Sequence, residues 1–315
     1  MRILVVGAGA VGGYFGARLL AAGRDVTFLV RPGRAARLAS DGLVVRSPHG
    51  DLSLDSPPTV LAEELRSHFD LVLLSCKAYD LAAAMDSFAP AVGSNTAVLP
   101  LLNGMRHLDQ LDERFGPGAV LGGLCLISSM VDQRGRIVHL NELHRLTFGA
   151  RDGFLDSRLR EVATILDGAG FDLRLSDTIT QEMWEKWVFI ATLAGATCLM
   201  RASIGDIMGA GGEAFTRTLL QECASIAAAN GFPTRSDSYL RSLALVTGND
   251  STLSASMLHD IERGARTEGE HILGDLLTRG FTPHGARPSN LDLAYMHLRA
   301  YEARREREGP LEIGL

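Results

Sequence analysis

Scarcity narrows the class of this 315-residue chain before any motif is read. Cysteine is rare: Cys76, Cys125, Cys198 and Cys223 are scattered, each inside an apolar run. None has the close spacing of a zinc site or of a CxxC redox pair. Buried free thiols suit a reducing cytosol, so a cytoplasmic location is expected. A basic excess is missing too. Lys and Arg number 31 against 37 Asp and Glu, and a net charge of -6 gives no support to nucleic-acid binding. No apolar run is long enough for a membrane span: the fourteen uncharged residues from Trp187 to Met200 fall short of the ~20 required. The opening "MRILVVGAGAVGG" lacks the apolar length of a signal peptide, because glycines interrupt it at once. An amphipathic helix follows where a cleavage site should be. Internal repeats and low-complexity linkers are absent, and the charge-dense "LRAYEARREREG" mixes its signs like a solvated helix end. What is left is a soluble globular protein, 46% hydrophobic and 22% charged, long enough for two domains.

The first half alternates. "RILVVG", "DVTFLV", "DLVLLS" and "TAVLPLL" read as short strands. Between them "AVGGYFGARLLAAG", "GRAARLAS" and "AYDLAAAMDSFAP" read as helices. That order predicts a parallel doubly wound sheet. Beyond "AVLGGLCLIS", the pattern "GRIVHL…RLTFGA" reads as a hairpin at the sheet edge, and "SRLREVATILDGAG" with "DLRLS" closes the domain. After about Ser176 the strands vanish and every long segment has helical periodicity. The expected organisation is an α/β Rossmann-type domain over 1–176 and an all-helical domain over 177–315.

"GAGAVG", Gly7 to Gly12, is G-x-G-x-x-G placed between a strand and a helix, the context that gives the pattern meaning. Gly7 makes the tight turn, Gly9 admits a diphosphate against the backbone, and Gly12 lets helix and strand approach. Ala8, Ala10 and Val11 complete the loop, and the free N–H groups at the helix start face the phosphates. An acid that would hold a ribose 2′-hydroxyl is missing about 20 residues on. "DVTFLVRPGR" puts Arg31 there, with Arg34 close by. An arginine accommodates a 2′-phosphate that a carboxylate would repel, which favours NADP(H) over NAD(H).

"EMWEKWVFIATLAGATCLMR" places Lys186 at the threshold of an uncharged helix. Two readings stand level on spacing alone. Lys186 is a general acid whose pKa is pulled down beside apolar surface, or its stem packs on Trp187 while its head reaches water.

These pieces together resemble the ketopantoate reductase (2-dehydropantoate 2-reductase) family over nearly the whole chain. The resemblance rests on "GAGAVGGYFGARL", "SCKAYD" with Lys77, "LLNGM" with Asn103, "WEKWVF" with Lys186, and "SMLHDIERGARTE" with Ser256 and Glu268. It implies a Rossmann domain followed by a helical domain like that of 6-phosphogluconate dehydrogenases. It also implies reduction of a 2-oxo acid by NADPH, on the way to pantothenate. By that resemblance Lys186 is the catalytic acid and Lys77 contacts cofactor. Asn103 bridges nicotinamide and substrate, Glu268 orients both, and Ser256 holds the substrate carboxylate. Without it Asn103 reads as an Asn-Gly turn, and Lys77 as a surface residue at a helix start. No metal is implied; the partner is a small 2-oxo acid, and a homodimer stays open.

The pattern departs from the family at the wall of the pocket. Asparagines usual four and eight residues beyond the lysine are Ile190 and Ala194 here, on the lysine's own face. Thr197 is the polar group left near that line, and Gly269, Glu270 and Leu273 depart from the usual sequence after the glutamate. The reaction type therefore carries over better than the substrate. A paralogue for a more apolar 2-oxo acid, another dehydrogenase of the same plan, and a non-catalytic NADP(H) sensor are the alternatives. Ser256 and Glu268, twelve residues apart, would sit ~18 Å apart on a straight helix. Gly264 is the expected break, with Thr267 as the cap after it.

Overall fold

The computed structural model describes residues 1–280 and 288–309. The chain forms two compact units, one of Met1–Asn103 with His107–Thr180, the other of Gly104–Arg106 with the chain from Gln181 onward.

The first unit holds two sheets. The first joins β1 (Arg2–Val6), β2 (Asp25–Leu29), β5 (Thr59–Val60), β6 (Phe69–Leu74) and β7 (Val92–Pro100) in the order β5-β2-β1-β6-β7. All its pairings are parallel, and its strands are apolar on both faces, as a sheet covered twice requires. Helices α1 (Ala10–Ala21), α2 (Pro32–Asp41), α3 (Leu81–Phe88) and α4 (Arg106–Phe115) follow successive strands.

The second sheet is built on β9 (Ile137–Gly149). Its antiparallel partner β8 (Gly122–Val131) runs along it. Parallel to β9 lie β3 (Leu43–Arg46) near its start and β10 (Asp172–Leu175) near its end, and β4 (Leu52–Leu54) extends the sheet beyond β3. This corrects the sequence reading in one respect. "GRIVHL…RLTFGA" is a single long strand paired with the preceding segment, within a sheet of its own, and not a hairpin on the edge of the first. Helix α5 (Ser157–Leu166), capped by the Asp156 carboxylate accepting from Leu159 N–H at 2.7 Å, precedes β10.

Helix α1 touches strands of both sheets. It was expected to be amphipathic, but it is buried nearly all round, from Gly12 to Leu19, because the second sheet covers the face that a surface helix gives to water. Small residues make room. A Cβ at Gly16 would strike the Phe28 ring of β2, and one at Gly13 would strike Ile137 of β9. Tyr14 and Phe15 fill the space between and are wholly buried.

The second unit is helical: α6 (Ile179–Met200), α7 (Ile204–Gly209), α8 (Glu213–Ala229), α9 (Ser236–Val246), α10 (Ser256–Glu262), α11 (Asp275–Arg279) and α12 (Asn290–Glu308). A π-helical stretch, Glu270–Gly274, leads directly into α11. Gly264 does end α10, at φ +66°. Gly264 N–H donates to Ile261 O (3.0 Å) and Ala265 N–H to Asp260 O (2.8 Å), the paired bonds of a Schellman stop. Among the described residues no helix is long and apolar enough to cross a membrane.

Candidate active site

In the first unit the sheet itself gathers the candidates. Val6 pairs with Leu74, and Leu74 with Pro100, so β1, β6 and β7 end side by side. The glycine loop, the segment Ser75–Lys77 and the segment Leu101–Asn103 leave that common carboxyl edge, where open α/β sheets take their ligands. Gly7 turns at φ +94°, and its N–H donates to Leu29 O at 3.1 Å. A Cβ at Gly9 would meet no atom within 4 Å, so the backbone there is open to a phosphate. A Cβ at Gly12 would overlap Ser75 Oγ and the Gly7 carbonyl. The loop from Gly7 to Gly12 therefore fits a dinucleotide's diphosphate, on backbone donors at the head of α1.

Ser75 was not singled out from sequence. Its Oγ bonds Val6 O (3.3 Å) and Gly7 O (3.2 Å), which ties the end of β6 to the turn. The signal was its place directly after a strand, two residues before Lys77. Lys77 directly precedes a short 3-10 turn, Ala78–Asp80, and is half-buried, as is Asn103.

Arg31 stands at the N-cap of α2 with its side chain 76% exposed. The sequence just after β2 contains no acid, but the fold brings one from the segment after β6: Asp80 lies 3.1 Å from its guanidinium. An exposed pair of this kind contributes ~0–1 kcal/mol and yields readily to a better anion. Arg34, three residues on, bonds through Nε to Ala8 O and through Nη1 to Gly135 O, both at 3.1 Å.

In the second unit, Lys186 is half-buried on α6 between Glu185 and Trp187, both buried. Glu185 is spent elsewhere. Arg235 donates to it from the backbone (3.0 Å), Nε (2.7 Å) and Nη2 (2.7 Å), and Gln181 from Nε2 (3.1 Å). Burial alone would raise the Glu185 carboxyl, but these bonds hold it below the usual range. Trp187 Nε1 donates to Ile272 O at 2.9 Å inside the π-helical stretch, and Ile272 N–H donates to Glu268 O at 2.9 Å. Lys186 and Glu268 thus adjoin the two ends of one short chain of hydrogen bonds. The sequence offers Trp187 only as a packing surface for the Lys186 stem; its indole donor is a finding of the structure.

Thr197 is fully buried, and its hydroxyl is used structurally. It donates to Leu193 O (2.7 Å) and accepts from Ala255 N–H (3.2 Å). That bond fastens the start of α10, and so exposed Ser256, to α6 eleven residues beyond Lys186, ~16 Å along the axis. Ala194 is buried and Ile190 half-buried between those points. Thr267 acts as a cap only in part: its Oγ1 accepts from Gly269 N–H (3.4 Å) while Glu302 accepts from its N–H (2.6 Å) and hydroxyl (2.7 Å). The odd Gly269 has a packing reason, since a Cβ there would press on Leu298 of α12 at 2.9 Å.

Burial pushes the Cys198 and Cys223 thiols up to about 12, which leaves them inert. Among the described residues no group of His, Cys, Asp and Glu could hold a metal ion.

Comparison with known proteins agrees with this layout. The sequence model described as "Ketopantoate reductase PanE/ApbA" matches residues 3–153, and its C-terminal counterpart matches residues 178–302. A Bacillus subtilis protein named uncharacterized oxidoreductase YkpB is 36% identical over 96% of this chain and 99% of its own. A 2-dehydropantoate 2-reductase of Mesorhizobium japonicum is 30% identical over 85% of this chain and 88% of its own. The crystal structure of 2-dehydropantoate 2-reductase from Methylococcus capsulatus superposes with a TM-score of 0.84 at 29% identity, covering 96% of this chain and 97% of that one.

Proposed function

The chain belongs to the ketopantoate reductase family, and from that premise we propose that it reduces a 2-oxo acid to the 2-hydroxy acid with NADPH. Its class, an oxidoreductase of that type using a nicotinamide cofactor, follows from the family. The observation that carries the finer reading is the setting of Lys186. It is a half-buried ammonium on an apolar helix, next to a carboxylate already committed to Arg235. The nicotinamide, when bound, supplies hydride to the carbonyl carbon. Lys186 gives its proton to the oxygen on which charge develops and recovers one from solvent. Glu268 orients substrate and nicotinamide, Asn103 bridges the two, and Ser256 takes the substrate carboxylate. Lys77 contacts the cofactor. The preference for NADPH rests on Arg31, whose exposed pairing with Asp80 is weak enough for a 2′-phosphate to replace it.

Ketopantoate is the first substrate to test. Ile190 and Ala194 favour a second reading, a 2-oxo acid with a larger apolar tail. An apolar wall cannot reward a hydroxyl with a hydrogen bond, and ketopantoate's terminal hydroxyl would go unpaired at a cost of ~1–3 kcal/mol. The test is NADPH and NADH oxidation with a panel of 2-oxo acids, on native protein and on Lys186→Ala. Turnover of every accepted acid should fall ~100-fold or more in the variant, with NADPH affinity little changed. Near-native turnover would reduce Lys186 to a packing residue. Inactivity of the native protein on all the acids, with tight NADPH binding, would make it a sensor. Equal affinity for NADPH and NADH would remove the role given to Arg31.

A further inference from the structure

The glycine loop is held from behind by a side chain. Within the loop, Gly7 N–H is taken by Leu29 O, and the first bond of α1 runs from Gly13 N–H to Gly9 O at 2.9 Å. The Ala8 carbonyl, one residue before that first acceptor, instead receives Arg34 Nε. The same guanidinium donates from Nη1 to Gly135 O, in the turn between β8 and β9. That turn is fitted to α2. Arg37 Nη2 donates to Gln133 O (3.2 Å), and a Cβ at Gly135 would press on the Arg37 guanidinium at 2.9 Å. One arginine thus fastens the loop, α2 and the second sheet together.

Among the described residues no acid answers the charge of this arginine. Its third nitrogen, Nη2, is buried and has no hydrogen-bond partner among the described residues. Burial lowers its pKa, and the charged neighbour that adds to the effect is another cation, Arg37. A half-buried guanidinium with no carboxylate beside it carries a desolvation cost, so a fixed anion nearby would relieve it, and away from bulk water the attraction acts over several ångströms.

The geometry reaches the ligand through one peptide plane. No peptide bond among the described residues is cis. In a trans peptide the C=O and N–H point opposite ways, so the bond that fixes Ala8 O also fixes the Gly9 N–H. That N–H precedes the first bond of α1, on the residue where a Cβ would meet no atom within 4 Å.

We propose that Arg34 is a positioning residue for the cofactor's diphosphate: it aims the Gly9 N–H by holding the Ala8 carbonyl and places a fixed cation behind the loop. This rests on the dinucleotide reading of the loop, but not on the substrate or on the preference for NADPH. It differs from a 2′-phosphate contact in which ligands it serves. NADPH, NADH and ADP-ribose all carry the diphosphate, whereas adenosine 2′-phosphate carries none.

The test is a set of dissociation constants for those four ligands, by calorimetry, on native protein, Arg34→Ala and Arg34→Lys, with the thermal midpoint of each. Arg34→Ala should weaken NADPH, NADH and ADP-ribose by the same factor, about tenfold or more, and leave adenosine 2′-phosphate unchanged. Arg34→Lys keeps the charge without the two-pronged geometry and should fall between. It also provides the measurement if the alanine variant folds poorly. A loss confined to NADPH and adenosine 2′-phosphate would overturn the proposal in favour of a 2′-phosphate contact. So would unchanged constants for all four ligands, or equal losses for all four that track the thermal midpoint. Native protein that binds no diphosphate ligand would overturn the dinucleotide reading, and this proposal with it.

Discussion

Gly9 and Gly12 lie three residues apart in one loop, and the structure gives them different reasons to lack a side chain. A methyl on Gly9 would touch nothing in the protein, whereas one on Gly12 would overlap Ser75 and the Gly7 carbonyl. Gly9→Ala should therefore leave the thermal midpoint unchanged while weakening NADPH at least tenfold, because its Cβ occupies phosphate space. Gly12→Ala should lower the midpoint by several degrees, because backbone has to move. Midpoints and dissociation constants for the two variants check this, and equal midpoints would contradict it. Both roles were legible in the sequence, since a strand, the motif and a helix in succession fix where the loop sits. Asp80 beside Arg31 is not legible: 49 positions separate them, and their loops come near only because β2 and β6 flank β1 in the sheet.

At the scale of elements, the decisive piece is the π-helical stretch after Glu268. Such a stretch shifts the ladder of carbonyls and needs outside donors, and it recurs at functional sites. Trp187 supplies one to Ile272 O. Trp187→Phe keeps most of the packing and removes the donor from a buried carbonyl, at ~1–3 kcal/mol. We expect a lower thermal midpoint and a turnover reduced several-fold, with the dissociation constant for NADPH unchanged. A midpoint that falls with turnover intact would show that the bond has no part in placing Lys186 and Glu268. The helix break at Gly264 could be read from glycine chemistry. The π-helix could not, because a stretch as short as Glu270–Gly274 offers too few apolar positions to separate its spacing from that of an α-turn. Thr197 was read as a polar group near the substrate wall, and its use in holding Ala255 depends on a segment 58 residues away.

Across the whole molecule, the second sheet is where sequence reading fell shortest. β9 has alternating and continuous apolar stretches in one strand, which resembles two strands with a turn. The sheet also carries an acid-sensitive feature, the rings of His49, His139 and His144. His49 and His144 stack at 3.7 Å between centroids, and His144 Nδ1 shares a 2.8 Å hydrogen bond with Tyr14 Oη. Burial, then the charges of His49, His139 and Arg18, hold His144 below its ordinary value, with Asp172 opposing. The unfolded chain therefore binds a proton that the folded one refuses. Stability rises with pH in that window and is lost as pH falls below about 6.5. Urea midpoints measured from about pH 7 down to 5 should decline, and His144→Gln should make the decline shallower, leaving the share of His297, which burial also holds below its ordinary value. A native midpoint constant over that range would refute it.

The position of α1 between two sheets has a consequence for time as well as for place. An amide in a surface helix can meet solvent through local fraying, but those of Tyr14 to Leu19 have protein on every side. They should exchange their hydrogens only when the whole first unit opens, and the cofactor loop is anchored at the head of that slow-opening helix. A dinucleotide then meets donors that are already ordered, so its arrival needs no folding step and should be a single fast phase. By linkage, each factor gained in occupancy of the loop should slow exchange throughout that unit's core, far from any phosphate.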